Sequence, residues 1–214
     1  MGVETAKIVG RDHTVVLCDV RQDRLDRASA TLGELGISAT TVNCDVTDRA
    51  AVDELFGAAR EIGTVTAVVH TAGVSPAMGD AEYVMRTNAI GTLNVNEVFY
   101  ATVGDGGAIV NVASMAAHIL PEELIPVSAF PQALTDEAAF LAATLAGCDI
   151  AGEQHPSGIA YAISKSLVNW YSSSQAERFN GRGLRIVSVS PGSVDTEMGR
   201  LEEAGGAGAL VADA

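Results

Sequence analysis

A tyrosine and a lysine lie four residues apart in a segment whose pattern predicts a helix at about 158–180. Tyr161 and Lys165 would therefore project from one face of that helix. A free phenol has a pKa of roughly 10, so it is a poor proton donor and acceptor at neutral pH. A nearby ammonium group favours the phenolate and lowers that pKa, which would let the pair exchange a proton with a carbonyl or alcohol oxygen.

A serine and an asparagine add to this chemistry from other predicted elements. Ser114 comes just after a predicted strand at 108–113, at the carboxyl end where open α/β sheets bind ligands. Asn88 lies inside a long predicted helix at 80–102, although asparagine is a mediocre helix former. Together these residues favour a proton-transfer site over a chance surface pair.

Apolar runs and helical patterns alternate along the chain, as they do when helices join the strands of a parallel sheet. The predicted strands are 14–20, 38–43, 65–70, 108–113 and 184–190. The predicted helices are 21–35, 47–61 with Thr47 as its cap, 80–102 and 158–180. This order predicts one α/β domain over 1–214, with a doubly wound parallel sheet and right-handed crossovers.

One segment, at about 116–157, interrupts the alternation because its pattern contains no strand. Within it, Thr135 is expected to cap a helix that Gly147 ends. A long segment beside the carboxyl edge of a sheet is typical of a functional cover rather than of a plain connection. We therefore expect this insertion to lie near the site.

Composition narrows the class of protein. Hydrophobic residues make up 48% of the 214 residues, which indicates a globular domain rather than a disordered chain. The net charge of −14 argues against nucleic acid as a partner. The sequence has neither a run of roughly 18 apolar residues nor a signal-peptide pattern, so we expect a cytoplasmic protein with no membrane partner. The cysteines lack metal-ligand spacing and are expected to be buried, reduced thiols: Cys18, Cys44 and Cys148.

The segments near the predicted strand ends and inside the helices resemble, in their order along the chain, the motifs of the classical short-chain dehydrogenases. These segments are Asn43–Val46, His70–Gly73, Thr87–Gly91, Val110–Ser114, Tyr161–Lys165 and Ser190–Thr196. The resemblance covers nearly the whole chain and implies a Rossmann-like fold. It also implies the activity, which is hydride transfer between NAD(H) and a secondary alcohol or ketone. No metal ion is expected, because no cluster of ligand residues has the required spacing.

The resemblance implies a role for each catalytic candidate. Tyr161 is expected to be the general acid/base, while Lys165 lowers its pKa and binds the nicotinamide ribose. Ser114 is expected to hydrogen-bond the substrate oxygen. Asn88 is expected to hold a water molecule of the proton relay.

The resemblance also implies the cofactor contacts. Asp19 closes its strand where the family places the acid that grips both hydroxyls of the adenosine ribose, and a carboxylate there repels a 2′-phosphate. NAD is therefore expected to be preferred over NADP, and Arg21 weakens this expectation only slightly. The other expected contacts, besides Tyr161 and Lys165, are Gly2, Asp45, Val46, Ala72, Gly73, Pro191, Gly192, Val194 and Thr196.

Two departures from the family pattern bear on stability and substrate. His70-Thr71 stands where the family usually has two asparagines that brace the sheet, which puts stability in doubt more than chemistry. The insertion, with Ala151–Gln154 shortly before Tyr161, is similar to that of the bacterial 3α-hydroxysteroid dehydrogenase/carbonyl reductase subgroup. That similarity implies a steroid or another carbonyl compound as the substrate.

The ends of the chain also depart from the family pattern. The family begins with a strand and a glycine-rich turn, of which Met1-Gly2 matches only the end, and it continues past Thr196 with a lid, a helix and a strand. The first strand and the last helix and strand are therefore expected to be missing. One explanation is a fragment or a misplaced start of a full enzyme. The alternatives are a catalytically silent nucleotide-binding or assembly subunit and a non-functional fragment.

The helices predicted at 80–102 and 158–180 carry small and apolar residues on more than one face. Examples are Leu93, Val98, Ala162 and Leu167. The family pairs these helices across symmetric interfaces, so the full-length protein is expected to be a homodimer or homotetramer.

Overall fold

A computed structural model of the chain describes residues 1–150 and 156–205, and it has the expected Rossmann-like α/β fold with parallel strands in a single domain. The strands are β1 (Val15–Asp19), β2 (Ala39–Asn43), β3 (Ala67–His70), β4 (Ala108–Val112) and β5 (Arg185–Val189). Each observed strand falls within one or two residues of its predicted bounds, because the buried apolar runs define them.

Helices connect the strands. They are α1 (Gly2–Val9), α2 (Gln22–Gly33), α3 (Arg49–Ile62), α4 (Ala81–Met85), α5 (Gly91–Thr102), α6 (Glu137–Ile150), α7 (Pro156–Ser174), α8 (Ala176–Asn180) and α9 (Glu197–Gly205). A π-helical turn at Arg86–Ile90 separates α4 from α5 within the predicted long helix. The predicted helix at 158–180 is two helices, α7 and α8.

The cap of α3 differs by one residue from the prediction. Asp48, and not Thr47, caps the helix: its carboxylate accepts hydrogen bonds from the backbone nitrogens of Ala50 at 2.9 Å and Ala51 at 3.5 Å. Thr47 instead donates its hydroxyl to Asp45 at 2.8 Å. The carboxylate is the better partner for the positive end of the helix.

The strands form two separate parallel ladders. One joins β1 to β2, and the other has the order β3-β4-β5. Within the described part of the chain no ladder joins β1 to β3. One edge of each of these strands therefore leaves backbone groups without a sheet partner.

One face of the three-stranded sheet is well covered. Helices α5 and α7 pack against it, with Ile109 of β4 and Leu167 of α7 fully buried. On the opposite face, Val69 of β3 is 37% exposed, and Val187 and Val189 of β5 are 51% and 46% exposed. This face of the sheet is therefore less covered than the face against which α5 and α7 pack.

The residues offered for an oligomer interface lie inside the chain's own core. Leu93, Val98, Ala162 and Leu167 are each at most 5% exposed. Apolar residues appear on more than one face of these helices because the helices pack between other elements of the same chain. These four residues therefore cannot form the expected symmetric contact.

In its described part the insertion consists of helices joined by short turns. Short 3-10 helices at Met115–His118, Glu122–Leu124 and Val127–Leu134 precede α6. The helix α6 differs from the prediction at both ends. Asp136, rather than Thr135, caps it by accepting from the backbone nitrogen of Ala139 at 2.9 Å, and Gly147 does not end it. Gly147 lacks the positive φ of a glycine that terminates a helix.

Two further expectations concern the end of the insertion and the cysteines. The tetrapeptide Ala151–Gln154, which carries the subgroup similarity, lies outside the described residues. Among the cysteines, Cys44 and Cys148 are buried as expected, but Cys18 is exposed. Its strand β1 has β2 as a partner on one side and an open edge on the other.

The open edges lead to a test of what limits stability. Placing an apolar five-residue strand and a glycine turn before Met1 should let a new parallel strand bond to both β1 and β3. Because the added strand would stabilise the folded chain, we expect the melting temperature to rise by at least about 5 °C. In a domain of this size, 1 kcal/mol of stability corresponds to about 2–4 °C. Thermal melts followed by circular dichroism would measure it. A control extension with proline at alternate strand positions should give no gain, and equal melting temperatures for both extensions would contradict the prediction.

Candidate active site

The serine, tyrosine and lysine singled out from the sequence lie together at the carboxyl edge of the β3-β4-β5 sheet. Tyr161 and Lys165 project from α7, and Ser114 directly follows β4 and interacts with the Tyr161 phenol. The Lys165 Nζ donates to the carbonyl of Val112, the last residue of β4, at 2.8 Å. It lies 5.6 Å from the centroid of the Tyr161 ring.

The Lys165 ammonium group is buried. Its residue is 7% exposed, and burial lowers the pKa of Lys165 from 10.5 to about 8. A fold keeps a buried lysine without a carboxylate partner only when other interactions compensate for its desolvation. Here the compensating contact is the carbonyl at the end of β4.

The electrostatics of Tyr161 differ from the expectation. Burial raises the pKa of Tyr161 above 10, and the negative charge of Glu202 raises it further, while the hydrogen bond with Ser114 lowers it. Lys165 is not among the groups that lower this pKa, although its Nζ lies 5.6 Å from the centroid of the ring. Tyr161 is therefore a neutral phenol, which is the form that can donate a proton.

Asn88 lies at the π-helical turn between α4 and α5. Its side chain clamps the loop after β3: Oδ1 accepts from the backbone nitrogen of Val74 at 2.8 Å, and Nδ2 donates to the Val74 carbonyl at 2.9 Å. Nδ2 also lies 3.4 Å from the Ser164 hydroxyl on α7. Single π-turns inside helices are frequent at functional sites, and this one joins β3, α5 and α7.

Two residues that the sequence did not single out for the site complete this cluster. Thr92 donates its hydroxyl to the Asn88 carbonyl at 2.7 Å, and His70 Nε2 lies 3.0 Å from the same hydroxyl. Because the Thr92 proton is already committed, His70 must be the donor. Burial, with the nearby charge of Lys165, lowers the pKa of His70 to about 3, so its ring is neutral. The i, i+4 spacing of Asn88 and Thr92 was the available signal.

His70 thus braces the sheet in the place of the family's asparagine. A second buried network supports β4 from behind: Asn96 and Asn111 exchange hydrogen bonds of 2.9 and 3.0 Å, and Asn111 also donates to Ser172 at 3.1 Å. The two networks fix α5 and α7 against the strands that carry the site. The departure at His70 therefore leaves the bracing intact.

The predicted nucleotide contacts at the β1 and β2 ends have different environments. Asp19 is partly buried, and its Oδ1 accepts the backbone N–H of Arg21 at 2.9 Å. Asp45 is exposed, but its Oδ1 accepts from the backbone and hydroxyl of Thr47. Val46 is 6% exposed and packs against Gly91, so its side chain belongs to the core.

The glycines after β3 and before α1 lie where side chains would not fit. A Cβ on Gly73 would lie 3.0 Å from Asn88 Oδ1 and 3.6 Å from Lys165 Nζ. A Cβ on Gly2, the first residue of α1, would lie 2.8 Å from the Thr71 hydroxyl. Ala72 is half-buried between these positions. The N-terminus of α1 therefore approaches the loop after β3 closely.

The segment after β5 borders the site on its other side. The Pro191 carbonyl accepts from the backbone nitrogen of Met115 at 2.9 Å, which ties this loop to the turn that carries Ser114. Gly192 and Val194 are exposed. Thr196 is partly buried and caps α9, since its hydroxyl accepts from Gly199 at 3.0 Å.

Helix α9 carries a residue that the sequence gave no reason to select. Glu202 Oε1 accepts from the backbone nitrogen of Ala77 at 2.9 Å, so α9 packs on the turn Pro76–Met78 after β3. This contact spans 125 residues of sequence and brings a negative charge close enough to affect Tyr161. In the sequence, Glu202 is recognisable only as an acidic residue in a helical segment.

The residues at this sheet edge and at the end of β1 have the chemical groups that a nicotinamide dinucleotide needs. Gly73 leaves space beside Lys165, the α1 N-terminus offers backbone N–H groups to a pyrophosphate, and Asp19 offers a carboxylate to a ribose diol. In the described residues no group of three or more His, Cys, Asp or Glu side chains could hold a metal ion. Nor does any described helix combine the length and apolar character needed to cross a bilayer.

Comparison with protein families and curated proteins agrees with this geometry. A family model described as short chain dehydrogenase matches residues 1–150. The short-chain dehydrogenase/reductase bsc3 of Alternaria brassicicola is 27% identical over 94% of this chain and 72% of its own length. The galactitol 2-dehydrogenase (L-tagatose-forming) of Cereibacter sphaeroides is 26% identical over 86% of this chain. This chain spans only 63% of the length of that second relative.

Solved structures share the fold at lower identity. A variant of actinorhodin polyketide ketoreductase with NADPH has a TM-score of 0.68 at 22% identity, covering 95% of this chain and 70% of the other. An NAD⁺-bound xylitol dehydrogenase has a TM-score of 0.64 at 20% identity, covering 95% of this chain and 69% of the other. The two neighbours carry different nicotinamide cofactors, so the comparison leaves the choice of cofactor open.

The buried lysine gives a prediction about stability and pH. The folded-state pKa of Lys165 is about 8, below its ordinary 10.5, so the charged form destabilises the folded chain. This cost is complete below about pH 8 and disappears as pH rises towards 10.5. At about 1.4 kcal/mol per pKa unit, the cost of burying the charge reaches about 3 kcal/mol. Replacing Lys165 would remove this cost, but it would also remove the hydrogen bond to Val112, which offsets about 1–2 kcal/mol of the gain.

Lys165→Met should therefore increase the free energy of unfolding by about 1–2 kcal/mol at pH 7, with a smaller gain at pH 10. Urea denaturation at the two pH values measures this. Lys7→Met is the matched control, since Lys7 is a surface lysine paired with Glu4. A Lys165→Met chain that is less stable than the parent at pH 7 would contradict the assignment of a desolvation cost.

Proposed function

We propose, because this chain belongs to the short-chain dehydrogenase family, that it catalyses reversible hydride transfer between NAD(H) and a secondary alcohol or ketone. The observation that carries the proposal is the buried Lys165 ammonium beside Tyr161 and Ser114 at one sheet edge. In the part of the chain that the structure describes, this lysine has no carboxylate partner, and a charge held in that way lowers stability, which supports a functional role.

In this proposal the side chains divide the proton chemistry between them. In the reducing direction the neutral Tyr161 phenol donates its proton to the carbonyl oxygen of the substrate, and the Ser114 hydroxyl donates a hydrogen bond to the same oxygen. The nicotinamide, when bound, supplies or accepts the hydride. Lys165, whose ammonium lies beside the Tyr161 ring, would hold the nicotinamide ribose.

Asn88 has a positioning role in the proposal. Its side chain holds Val74, and its carbonyl accepts from Thr92, so the residue keeps the loop after β3 beside Lys165. The expected water of the proton relay would have to share that carbonyl with the Thr92 hydroxyl. A carbonyl has two lone pairs, so it can accept both hydrogen bonds.

For the cofactor we propose NAD in preference to NADP. The Asp19 carboxylate lies at the end of β1 with one oxygen committed to the Arg21 backbone, which fixes its orientation. Among the described residues the second oxygen has no hydrogen-bond partner, so it can accept from a ribose hydroxyl, and the charge repels a 2′-phosphate. Neighbouring structures contain either cofactor, so the support for NAD comes from Asp19 and not from the relatives.

A catalytically silent nucleotide-binding subunit is the second candidate. It is favoured by the absence of a described ladder between β1, which carries Asp19, and β3, which leads into the site. Such a protein would bind the dinucleotide without turnover. Measuring cofactor binding and substrate oxidation on the same preparation distinguishes the two candidates.

Replacing the catalytic tyrosine tests the first candidate. Tyr161→Phe keeps the ring but removes the transferable proton, so kcat should fall at least about 100-fold while NAD affinity stays nearly unchanged. Steady-state rates with simple secondary alcohols and calorimetric NAD titration measure the two effects. Tyr83→Phe, at an exposed tyrosine on α4, is the control and should leave both values unchanged. A Tyr161→Phe rate within a few-fold of the parent would reject the role.

Replacing the acid at the end of β1 tests the cofactor choice. Asp19→Ser removes the charge but keeps a hydroxyl that can bond to the ribose, so the preference for NAD should fall by at least about tenfold. The ratio of the two dissociation constants is the measure. A parent chain that already prefers NADP would be inconsistent with the proposed cofactor.

A further inference from the structure

Arg21, the first positively charged residue after Asp19, is held in a fixed position. The Arg21 guanidinium forms a two-pronged contact with Asp23 in the first turn of α2, with Nε to Oδ1 at 2.9 Å and a terminal nitrogen to Oδ2 at 2.8 Å. The backbone N–H of the same residue donates to Asp19 at 2.9 Å. Arg21 is thus anchored at both ends, by one acid through its backbone and by another through its side chain.

This anchoring bears on nucleotide choice because arginine is the side chain best suited to bind a phosphate. Its planar fork matches phosphate oxygens, and an arginine beside the ribose acid is the residue that would accommodate a 2′-phosphate. Bidentate pairing with Asp23 occupies the Nε edge of the guanidinium, which is one of the edges through which it could meet such a phosphate. It also hydrogen-bonds both carboxylate oxygens in the geometry that stabilises these pairs most.

Neighbouring charges reinforce the arrangement. Arg27, one turn further along α2, donates to the backbone of Asp23 and lies 3.2 Å from its Oδ2, so the carboxylate is held from two sides. Glu197 at the start of α9 also acts on Arg21 and, with Asp23, raises the pKa of that guanidinium. The cation is therefore surrounded by the negative charges of Asp19, Asp23 and Glu197.

We infer that Asp23 is a specificity-determining residue for the dinucleotide, because it withholds the Arg21 side chain from a 2′-phosphate. The inference rests on the proposed function, since it concerns the nucleotide site of that reaction. Asp23 acts through Arg21 and is a positioning residue. The selection against NADP then has two parts, which are repulsion by Asp19 and engagement of Arg21 by Asp23.

The effect of replacing Asp23 on nucleotide selectivity should therefore depend on whether Asp19 is present. While Asp19 remains, its charge still repels the 2′-phosphate, so Asp23→Asn alone should improve the ratio of NADP to NAD affinity only slightly. In an Asp19→Ser chain the same change should improve the ratio by about three- to fivefold, the effect expected of one exposed ion pair. Arg21→Ala, added to the Asp19→Ser/Asp23→Asn chain, should abolish that improvement.

The experiment measures dissociation constants of NAD and NADP for the full chain by calorimetric titration, at one salt concentration. The matched control is Asp26→Asn in the Asp19→Ser background. Asp26 lies on the same exposed helix, but its carboxylate accepts from Gln22 at 2.8 Å and contacts no arginine in the described structure. Asp26→Asn should leave the ratio of NADP to NAD affinity unchanged. Asp23→Glu should retain most of the parent's selectivity. A purely structural effect would weaken both nucleotides together and would not move their ratio.

Each outcome decides the question. A ratio that rises with Asp23→Asn in the Asp19→Ser chain and falls again with Arg21→Ala supports the inference. A rise that survives Arg21→Ala, or an equal rise with Asp26→Asn, overturns it in favour of a general charge effect. Binding of both nucleotides with a ratio indifferent to Asp23 rejects the inference alone. Failure of the parent to bind either nucleotide rejects the proposed function, and the inference with it.

Discussion

The buried ammonium group of Lys165 is the constraint on which the arrangement of the site depends. It is held by the Val112 carbonyl at the end of β4, and among the described residues it has no carboxylate partner. A charge in that position requires the strand end, the helix α7 and the loop after β3 to stay close together, because any opening would leave the ammonium hydrogens without acceptors. The same proximity places Ser114 and Tyr161 next to each other.

Polar networks, more than apolar packing alone, maintain this proximity. Asn88 and Thr92 hold the π-helical turn against the loop after β3, and His70 supports them from the strand itself. Asn96 and Asn111 join α5 to β4 by two reciprocal hydrogen bonds. A fully satisfied buried network has one geometry, whereas an apolar contact tolerates several, so these residues define the site more sharply than their hydrophobic neighbours.

The sequence predicted the elements well because apolar runs and helical periodicity report burial directly. It also predicted which side chains meet, since parallel strands end at one edge of a sheet and Tyr161 and Lys165 share a helix face. It failed where the outcome depended on contacts distant in sequence. The direction of the Tyr161 pKa depends on burial and on Glu202 from α9, and the burial of Leu93 and Val98 depends on which helices pack over α5. Local pattern contains neither kind of information.

The relation between the nucleotide end and the chemical end of the site depends on a short helix. In a continuous sheet, hydrogen-bond ladders would fix the distance from Asp19 to Ser114, but here the two strands belong to separate ladders. Helix α1 bridges them: Gly2 approaches Thr71 after β3, and the residue that follows the helix, Gly10, packs against Val15 and Ile37 of the other unit. An eight-residue helix has little intrinsic stability in water, so its position comes from these contacts. Glycine is needed at both ends because a Cβ on either would meet the partner side chain at less than 3 Å. The end of the site proposed for the chemistry, at Tyr161, and the end proposed for nucleotide selectivity, at Asp19, are therefore connected through the packing of α1, and we expect disturbance of that helix to alter both.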